Sequence, residues 1–248
     1  MLDRRTFLRP IAHRGLHNAA KGMIENTGPA FLAAIEKGYG IECDLQSAAD
    51  GTPMVFHDET LDRLVDGAGA VAARLPADLA ALRYRGQDTR ILRFADFLAL
   101  VCGRVPLLVE VKSNDAPAPA GFLENIAGAA SAYAGPIALM SFDPALVSAL
   151  GALAPAVPCG LVVGSNQLPP AAWYSMEEGV AAATDLLGAA PEALAFLAVD
   201  VRLLPLAHAW RARSGLDLPL FVWTVRTPKD RAVAARFADA PIFEGFEA

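Results

Sequence analysis

The sequence predicts an α/β fold: a single (β/α)8 barrel with a short hairpin extension and a loop after the second strand. Three observations predict it. Short β-like runs alternate with Ala-rich helical stretches from end to end, which is the pattern of a parallel sheet. Eight such units remain once one hairpin arm is set aside. The length, 248 residues, matches the roughly 250 typical of one such barrel. Hydrophobic residues make up 54% and charged residues 19%, so the chain can bury a large core and intrinsic disorder is excluded. Residues 1–248 read as one domain.

The strand-like runs are Pro10–His13, Gly40–Leu45, Pro53–His57, Pro106–Val111, Pro136–Met140, Cys159–Val163, Phe196–Val201, Leu220–Thr224 and Pro241–Phe243. Only Asp50-Gly51 and its neighbours separate the second run from the third. That is turn chemistry at hairpin spacing, too short for a crossover helix. Between the strands, Asn26-Thr27 with Pro29 begins a helix whose apolar stripe is Phe31, Leu32 and Ile35, and Gly38 stops it. Phe94–Cys102 forms another, stopped by Gly103. Asp143 caps a third, with Pro144 at its first position. Asp58–Arg90 lacks clear periodicity and reads as a long loop at the site, with a little helix near Pro76–Leu82.

Charge and cysteine usage narrow the function classes. Lys and Arg number 21 against 27 Asp and Glu, a net charge of −6. With no basic block, the chain is not expected to bind nucleic acid, and its acidity argues against docking on anionic membranes. Cys43, Cys102 and Cys159 are far apart and form no CxxC pair, so they read as reduced thiols of a cytoplasmic protein. The N-terminus has no apolar stretch of signal-peptide length. Ala145–Gly164 is uncharged and of spanning length, but Pro155 and Pro158 make it a helix, a turn and a strand rather than a membrane span.

In a barrel of this kind, catalytic side chains gather at the C-terminal ends of the strands. Those ends hold His13-Arg14-Gly15, Glu42-Cys43-Asp44, His57-Asp58, Glu110-Val111-Lys112, Ser141 and Trp223. Glu42 and Asp44 lie two apart on one strand, so both point to one face about 7 Å apart. At an effective dielectric near 20 they repel by about 2–3 kcal/mol. A hard cation, Mg2+ or Ca2+, removes that conflict; the competing reading is a solvent-facing pair at a strand end. Glu110 and Lys112 repeat the spacing, as a third metal ligand beside a substrate-binding lysine or as a plain salt pair. Cys43 must point the other way, into packing behind the barrel wall.

His13 and His57, two of four histidines, each end an apolar strand, and imidazoles exchange protons near neutral pH. With a metal and the bidentate fork of Arg14, the set suits in-line displacement at phosphorus. Glu25-Asn26 either orient the site or cap the helix. Trp223 either stacks on substrate at the rim or belongs to the core. His17 is placed at the pocket or, by preference, the surface, and His208 has no assigned role. Asp200 and Glu244 end strands without an evident partner.

These residues carry a resemblance. Ile11-Ala12-His13-Arg14-Gly15, Glu25-Asn26-Thr27, Ile41-Glu42-Cys43-Asp44-Leu45, Asp50–Asp58 and Val109-Glu110-Val111-Lys112 agree in order and spacing with the glycerophosphodiester phosphodiesterase family. Beyond Lys112 only Ser141-Phe142 and Val222–Val225 are similar. The resemblance implies a (β/α)8 barrel with one divalent cation at its mouth, ligated by Glu42, Asp44 and Glu110. It implies His13 and His57 as general acid and base, and Arg14 and Lys112 holding phosphate. It further implies that a substrate hydroxyl attacks phosphorus, giving a cyclic phosphate that water opens to glycerol 3-phosphate. The chain departs from the family where Ile24 replaces a Pro, Leu64-Val65 replace two Thr, Arg226 replaces an Asn and the last strand runs Phe243-Glu244-Gly245-Phe246. These positions bear on substrate recognition more than on the reaction. Two other readings remain: the same machinery on a lysophospholipid or other phosphodiester, which an apolar surface at Leu61, Leu64 and Val65 would favour, and a barrel that binds phosphorylated ligands without turnover.

Overall fold

The structure is a computed structural model that describes residues 1–114, 118–164, 167, 177–178, 181–182, 184–185 and 194–248. Its strands are β1 (Ile11–Ala12), β2 (Gly40–Ser47), β3 (Pro53–Val55), β4 (Leu92–Arg93), β5 (Leu107–Val111), β6 (Ile137–Ser141), β7 (Cys159–Val163), β8 (Phe196–Asp200), β9 (Leu220–Val225) and β10 (Ala240–Phe243). All ten form one sheet, ordered β1-β10-β9-β8-β7-β6-β5-β2-β3-β4, and β1 also pairs with β2. That last pairing closes eight parallel strands into a barrel. The described helices are α1 (Arg4–Phe7), α2 (Gly28–Glu36), α3 (Pro76–Ala81), α4 (Phe94–Val101), α5 (Phe122–Ala132), α6 (Pro144–Leu153), α7 (Leu204–Ser214) and α8 (Pro228–Phe237). None is long and apolar enough to cross a membrane.

Strand alternation sorts side chains into two cores. Ile11, Leu108, Met140, Phe196, Phe221 and Ile242 fill the barrel interior. Ile41, Cys43, Leu45, Val109, Val222 and Phe243 face outward and pack against the helices, which puts Cys43 behind the wall as its parity requires. α1, which sequence periodicity is too short to reveal, is capped by the Asp3 carboxylate and carries Phe7 into the interior core beside Leu2.

The expected caps are present. Asp143 accepts the N–H of Ala145 to start α6, and Thr27 precedes α2 with Pro29 in its first turn. The hairpin differs in two ways. β3 ends at Val55 rather than His57, and a tenth strand, β4, pairs antiparallel with it. Two residues are too short to leave an alternation signal. β2 runs beyond the barrel to Ser47, and β3 returns along it antiparallel until Phe56 N–H donates to Asp44 O at 3.0 Å. The extension thus brings His57 back to the level of Asp44.

The loop after β3 owes its order to a core of its own. Met54, Phe56, Leu61, Val65, Leu79 and Tyr84 form a separate buried cluster, with Leu64 packed against it. Leu61 and Val65 are fully buried, so these apolar residues are spent inside the protein. They do not make the lipid-facing surface that the lysophospholipid reading needs.

Gly160 of β7 lies against Phe196 of β8, whose ring stands 2.4 Å from where a β-carbon would sit. Both belong to a close-packed interior. Gly160→Ala is expected to destabilise the fold by about 1–3 kcal/mol, the usual cost of overpacking. It should appear in urea unfolding as a lower midpoint at unchanged slope.

Candidate active site

The strand ends meet at one cavity of about 420 Å3, lined among others by His13, Arg14, Glu42, His57, Glu110 and Lys112. Trp223 lines the same cavity. Asp44 is buried.

Its centre is acidic. Glu42, Asp44 and Glu110 each offer a carboxylate oxygen, and these oxygens lie within 4.8 Å of one another. All three side chains are buried. The cluster has incomplete compensation. Lys112 Nζ stands 2.7 Å from Asp44 Oδ1 and also bonds Glu110 Oε1. Asp44 Oδ2 accepts Asn26 Nδ2–H at 2.8 Å and lies 3.4 Å from Arg14 Nε. Glu42 Oε2 accepts the backbone N–H of Arg14 at 2.9 Å, but Glu42 Oε1 is buried without a hydrogen-bond partner among the described residues. Burial, with Asp44 and Glu110 alongside, pushes the Glu42 carboxyl well above the usual range. Burial also raises Glu110, though Lys112 opposes it. At Asp44 burial is outweighed by Lys112 and Arg14, which hold it low. An orphaned buried oxygen inside an all-oxygen donor set is what a hard divalent cation satisfies, so these residues fit one.

Two positions of left-handed backbone shape the cluster. Arg14 has φ 53° and Asn26 φ 56°, each costing about 1–3 kcal/mol for a residue with a side chain. The first precedes Gly15, where a β-carbon would come within 2.9 Å of the Ala30 carbonyl carbon. The strain aims Arg14 N–H at Glu42 and the Asn26 amide at Asp44.

His13 and His57 are each backed by a carboxylate. His13 Nδ1 is 2.5 Å from Glu244 Oε2, while its Nε2 faces Glu42 Oε2 at 3.9 Å. His57 Nδ1 is 2.7 Å from Asp58 Oδ1. Such a partner selects the Nδ1–H tautomer and leaves Nε2 to act. Burial lowers the pKa of His13 despite Glu244. Asp58, where burial is outweighed by Arg63 and His57, sits at about 2. Arg63 ties the two halves together: its Nε donates to Asp58 Oδ2 at 2.6 Å and its Nη2 to Glu25 Oε1 at 2.7 Å. Arg14 Nη1 donates to the same Glu25 oxygen at 2.7 Å. Glu25 therefore orients the site, and Thr27 occupies the cap position of α2.

The structure brings all eight residues singled out in the sequence into one neighbourhood. Trp223 Nε1–H is taken by Ala198 O at 3.0 Å, so the indole offers the cavity its ring, braced edge-on by Phe142 at 5.5 Å. Sequence reasoning missed Glu244 and Asp58 as the backing carboxylates and Arg63 as the clamp. Parity held a signal for Glu244, because Ala240 and Ile242 face inward and residue 244 continues their face. Asp200 also lies at the rim, and its Oδ2 meets Arg202 Nη2 at 2.5 Å. His208 is remote, its ring beside Phe237.

A sequence model of the glycerophosphoryl diester phosphodiesterase family matches residues 13–243. The chain belongs to that family. A glycerophosphodiester phosphodiesterase of Caldanaerobacter subterraneus subsp. tengcongensis is 50% identical over 62 residues, 25% of this chain and 24% of that protein. Glycerophosphodiester phosphodiesterase 1 of Rattus norvegicus is 32% identical over 136 residues, 51% of this chain and 40% of that one. The chain therefore matches less than half the length of either relative. The solved structure of an Oleispira antarctica phosphodiesterase in complex with the product sn-glycerol-3-phosphate superposes with a TM-score of 0.72 at 20% identity, over 95% of this chain and 92% of that one. A glycerophosphodiester phosphodiesterase from Thermotoga maritima gives 0.67 at 21%, over 95% and 93%. At these identities the likeness is one of fold.

Adding Mg2+ or Ca2+ to chelator-treated protein is expected to raise its melting temperature. The gain should correspond to about 2.7 kcal/mol at a hundred times Kd. Glu42→Gln should keep the fold and lose most of that response in a thermal scan with and without metal.

Proposed function

We propose that the protein hydrolyses glycerophosphodiesters to glycerol 3-phosphate and an alcohol, with His13 and His57 exchanging protons and with Glu42, Asp44 and Glu110 holding one divalent cation. The observation that carries this reading is the meeting, in one cavity, of a buried three-carboxylate cluster with two imidazoles whose Nδ1 atoms are already engaged. A bound divalent cation would supply charge neutralisation at the phosphoryl oxygens; the donor set suits Mg2+ and Ca2+ alike.

The side chains fit the remaining steps. Lys112 uses donors on Asp44 and Glu110, and its third N–H is left for a phosphate oxygen. Arg14 adds positive charge beside it, with a buried Nε that has no hydrogen-bond partner among the described residues. The Trp223 ring covers the apolar side of a small alcohol or glycerol unit. In the first step, one imidazole Nε2 takes the proton of the attacking glycerol hydroxyl as its oxygen bonds to phosphorus. The other gives a proton to the departing alkoxide as that P–O bond breaks. In the second step, water forms the new P–O bond, the ring P–O bond breaks and the two imidazoles exchange roles, which restores their starting protonation. Of the apolar loop residues that would have suited a lysophospholipid, Leu61 and Val65 are buried and Leu64 is packed against their cluster.

Chelator-stripped protein assayed on glycerophosphocholine, glycerophosphoethanolamine and glycerophosphoglycerol should release glycerol 3-phosphate only when Mg2+ or Ca2+ is restored. His13→Ala and His57→Ala should each lower kcat by about 10²–10⁴-fold, the range of general acid–base catalysis. Absence of release from folded, metal-loaded protein would refute the assignment. Asp58→Asn removes the carboxylate behind His57 and should cost about 10–100-fold, as the loss of such orienting partners does elsewhere. Steady-state kinetics should show that loss in kcat rather than in KM.

A further inference from the structure

A second cluster of metal-ligating groups lies beside the first. A ring nitrogen of His13, a ring nitrogen of His17 and a Glu244 carboxylate oxygen lie within 4.8 Å of one another. Glu244 Oε2 stands 2.5 Å from His13 Nδ1 and 3.4 Å from His17 Nε2. The other oxygen, Oε1, is held by Arg226 Nε at 2.5 Å. The proposed hydrolysis uses His13 through Nε2 and has no role for His17. Yet His17 Nε2 is buried and, among the described residues, makes no hydrogen bond; it faces the Glu244 carboxylate at 3.4 Å. The loop that carries it is built rather than slack: His17 N–H donates to Gly15 O at 2.9 Å, and Asn18 and Met23 exchange backbone hydrogen bonds at 2.8 and 3.0 Å.

We propose that His13, His17 and Glu244 form a second metal site, selective for zinc-like transition ions, whose occupation switches the catalytic pocket off. Donor chemistry separates it from the carboxylate cluster. Three carboxylates suit hard Mg2+ or Ca2+, whereas two imidazoles and one carboxylate are a zinc donor set, with water as the fourth ligand. Ligand distances of 2.0–2.2 Å place donors about 3.4 Å apart around a tetrahedral ion. The Glu244–His17 separation already has that value. The His13–Glu244 contact must open by about 1 Å, since an ion replaces the proton between them.

Binding balances without a net proton change when both rings start neutral. The Nδ1 lone pair of His13 goes to the metal and the ring proton moves from Nδ1 to Nε2. His17 binds through Nε2 and keeps its proton on Nδ1. The consequence follows from that exchange: His13 Nε2, the atom that faces Glu42, now carries a proton and a metal-bound ring, and it cannot accept a proton from a substrate. Arg226, against the same carboxylate, opposes the ion's charge and keeps the site reversible.

The inhibitory consequence rests on the proposed phosphodiesterase reading, whereas metal binding at the cluster does not. The test therefore has two arms. In the first, wild-type enzyme held at saturating Mg2+ is titrated with Zn2+. Zinc should inhibit, and a tenfold increase in Mg2+ should not relieve it. His17→Ala should retain basal turnover and require at least about tenfold more zinc, the cost of losing even an outer partner of a metal. In the second, Co2+ added to the Mg2+-loaded protein should develop the visible d–d bands of a low-coordinate, imidazole-ligated ion. His17→Ala and Glu244→Gln should each abolish them. Equal zinc sensitivity in His17→Ala, relief by Mg2+, or no inhibition of wild type would overturn the proposal, as would Co2+ bands that survive both substitutions. If no phosphodiester is hydrolysed at all, the Co2+ arm decides the site alone.

Discussion

Three carboxylates buried in one space are the constraint to which the rest of this pocket answers. At the 4.8 Å that bounds their separations and an effective dielectric near 20, two ionised carboxylates repel by about 3.5 kcal/mol. Glu42, Asp44 and Glu110 are all inside the barrel mouth, where water cannot screen them fully. Lys112 bridges two of the three, Arg14 and Asn26 serve Asp44 and Glu42, and one Glu42 oxygen is left over. The left-handed backbone at Arg14 and Asn26 is a cost accepted to aim those donors. Such an arrangement makes physical sense as a receptor for positive charge, and poor sense as a stabilising feature in its own right.

The surrounding layers hold the two histidines against that acidic centre. β2 overshoots the barrel and β3 returns His57 to the height of Asp44. A separate apolar core under the following loop fixes Asp58 and Arg63 in place. Arg63 then joins Asp58 to Glu25, and Glu25 joins Arg14. The two sides of the cavity, which lie far apart in sequence, are thus tied by charge-assisted hydrogen bonds, which are stronger than neutral ones. On the opposite side Glu244 and Arg226 do the same for His13.

Much of this was legible in the sequence, for reasons that differ by element. The barrel strands were readable because each is an apolar run buried on both faces, and their polar ends stand out against it. Glu42 and Asp44 were readable because period-two spacing puts two like charges on one face. β4 and α1 were not, since two and four residues are shorter than either period. The sequence after His57 reads only as a long loop because its apolar residues, Leu61 and Val65 among them, follow no period; they pack as a small irregular core instead. Asp58 and Glu244 escaped assignment because a backing carboxylate is defined by the ring it touches, and Glu25 stayed open between two roles because its partners are the distant guanidinium groups of Arg14 and Arg63. For Glu244 that ring lies 231 positions away. The face of Glu244 could be read from parity, but its partner could not.

The central claim is that the buried acidic cluster exists to hold one divalent cation. Its most direct test is anomalous scattering from crystals grown with Mn2+ in place of Mg2+. The account predicts an anomalous peak within bonding distance of Glu42, Asp44 and Glu110, with the otherwise orphaned Glu42 oxygen among its ligands. Ordered carboxylates with no peak between them, at Mn2+ concentrations that support turnover, would contradict it.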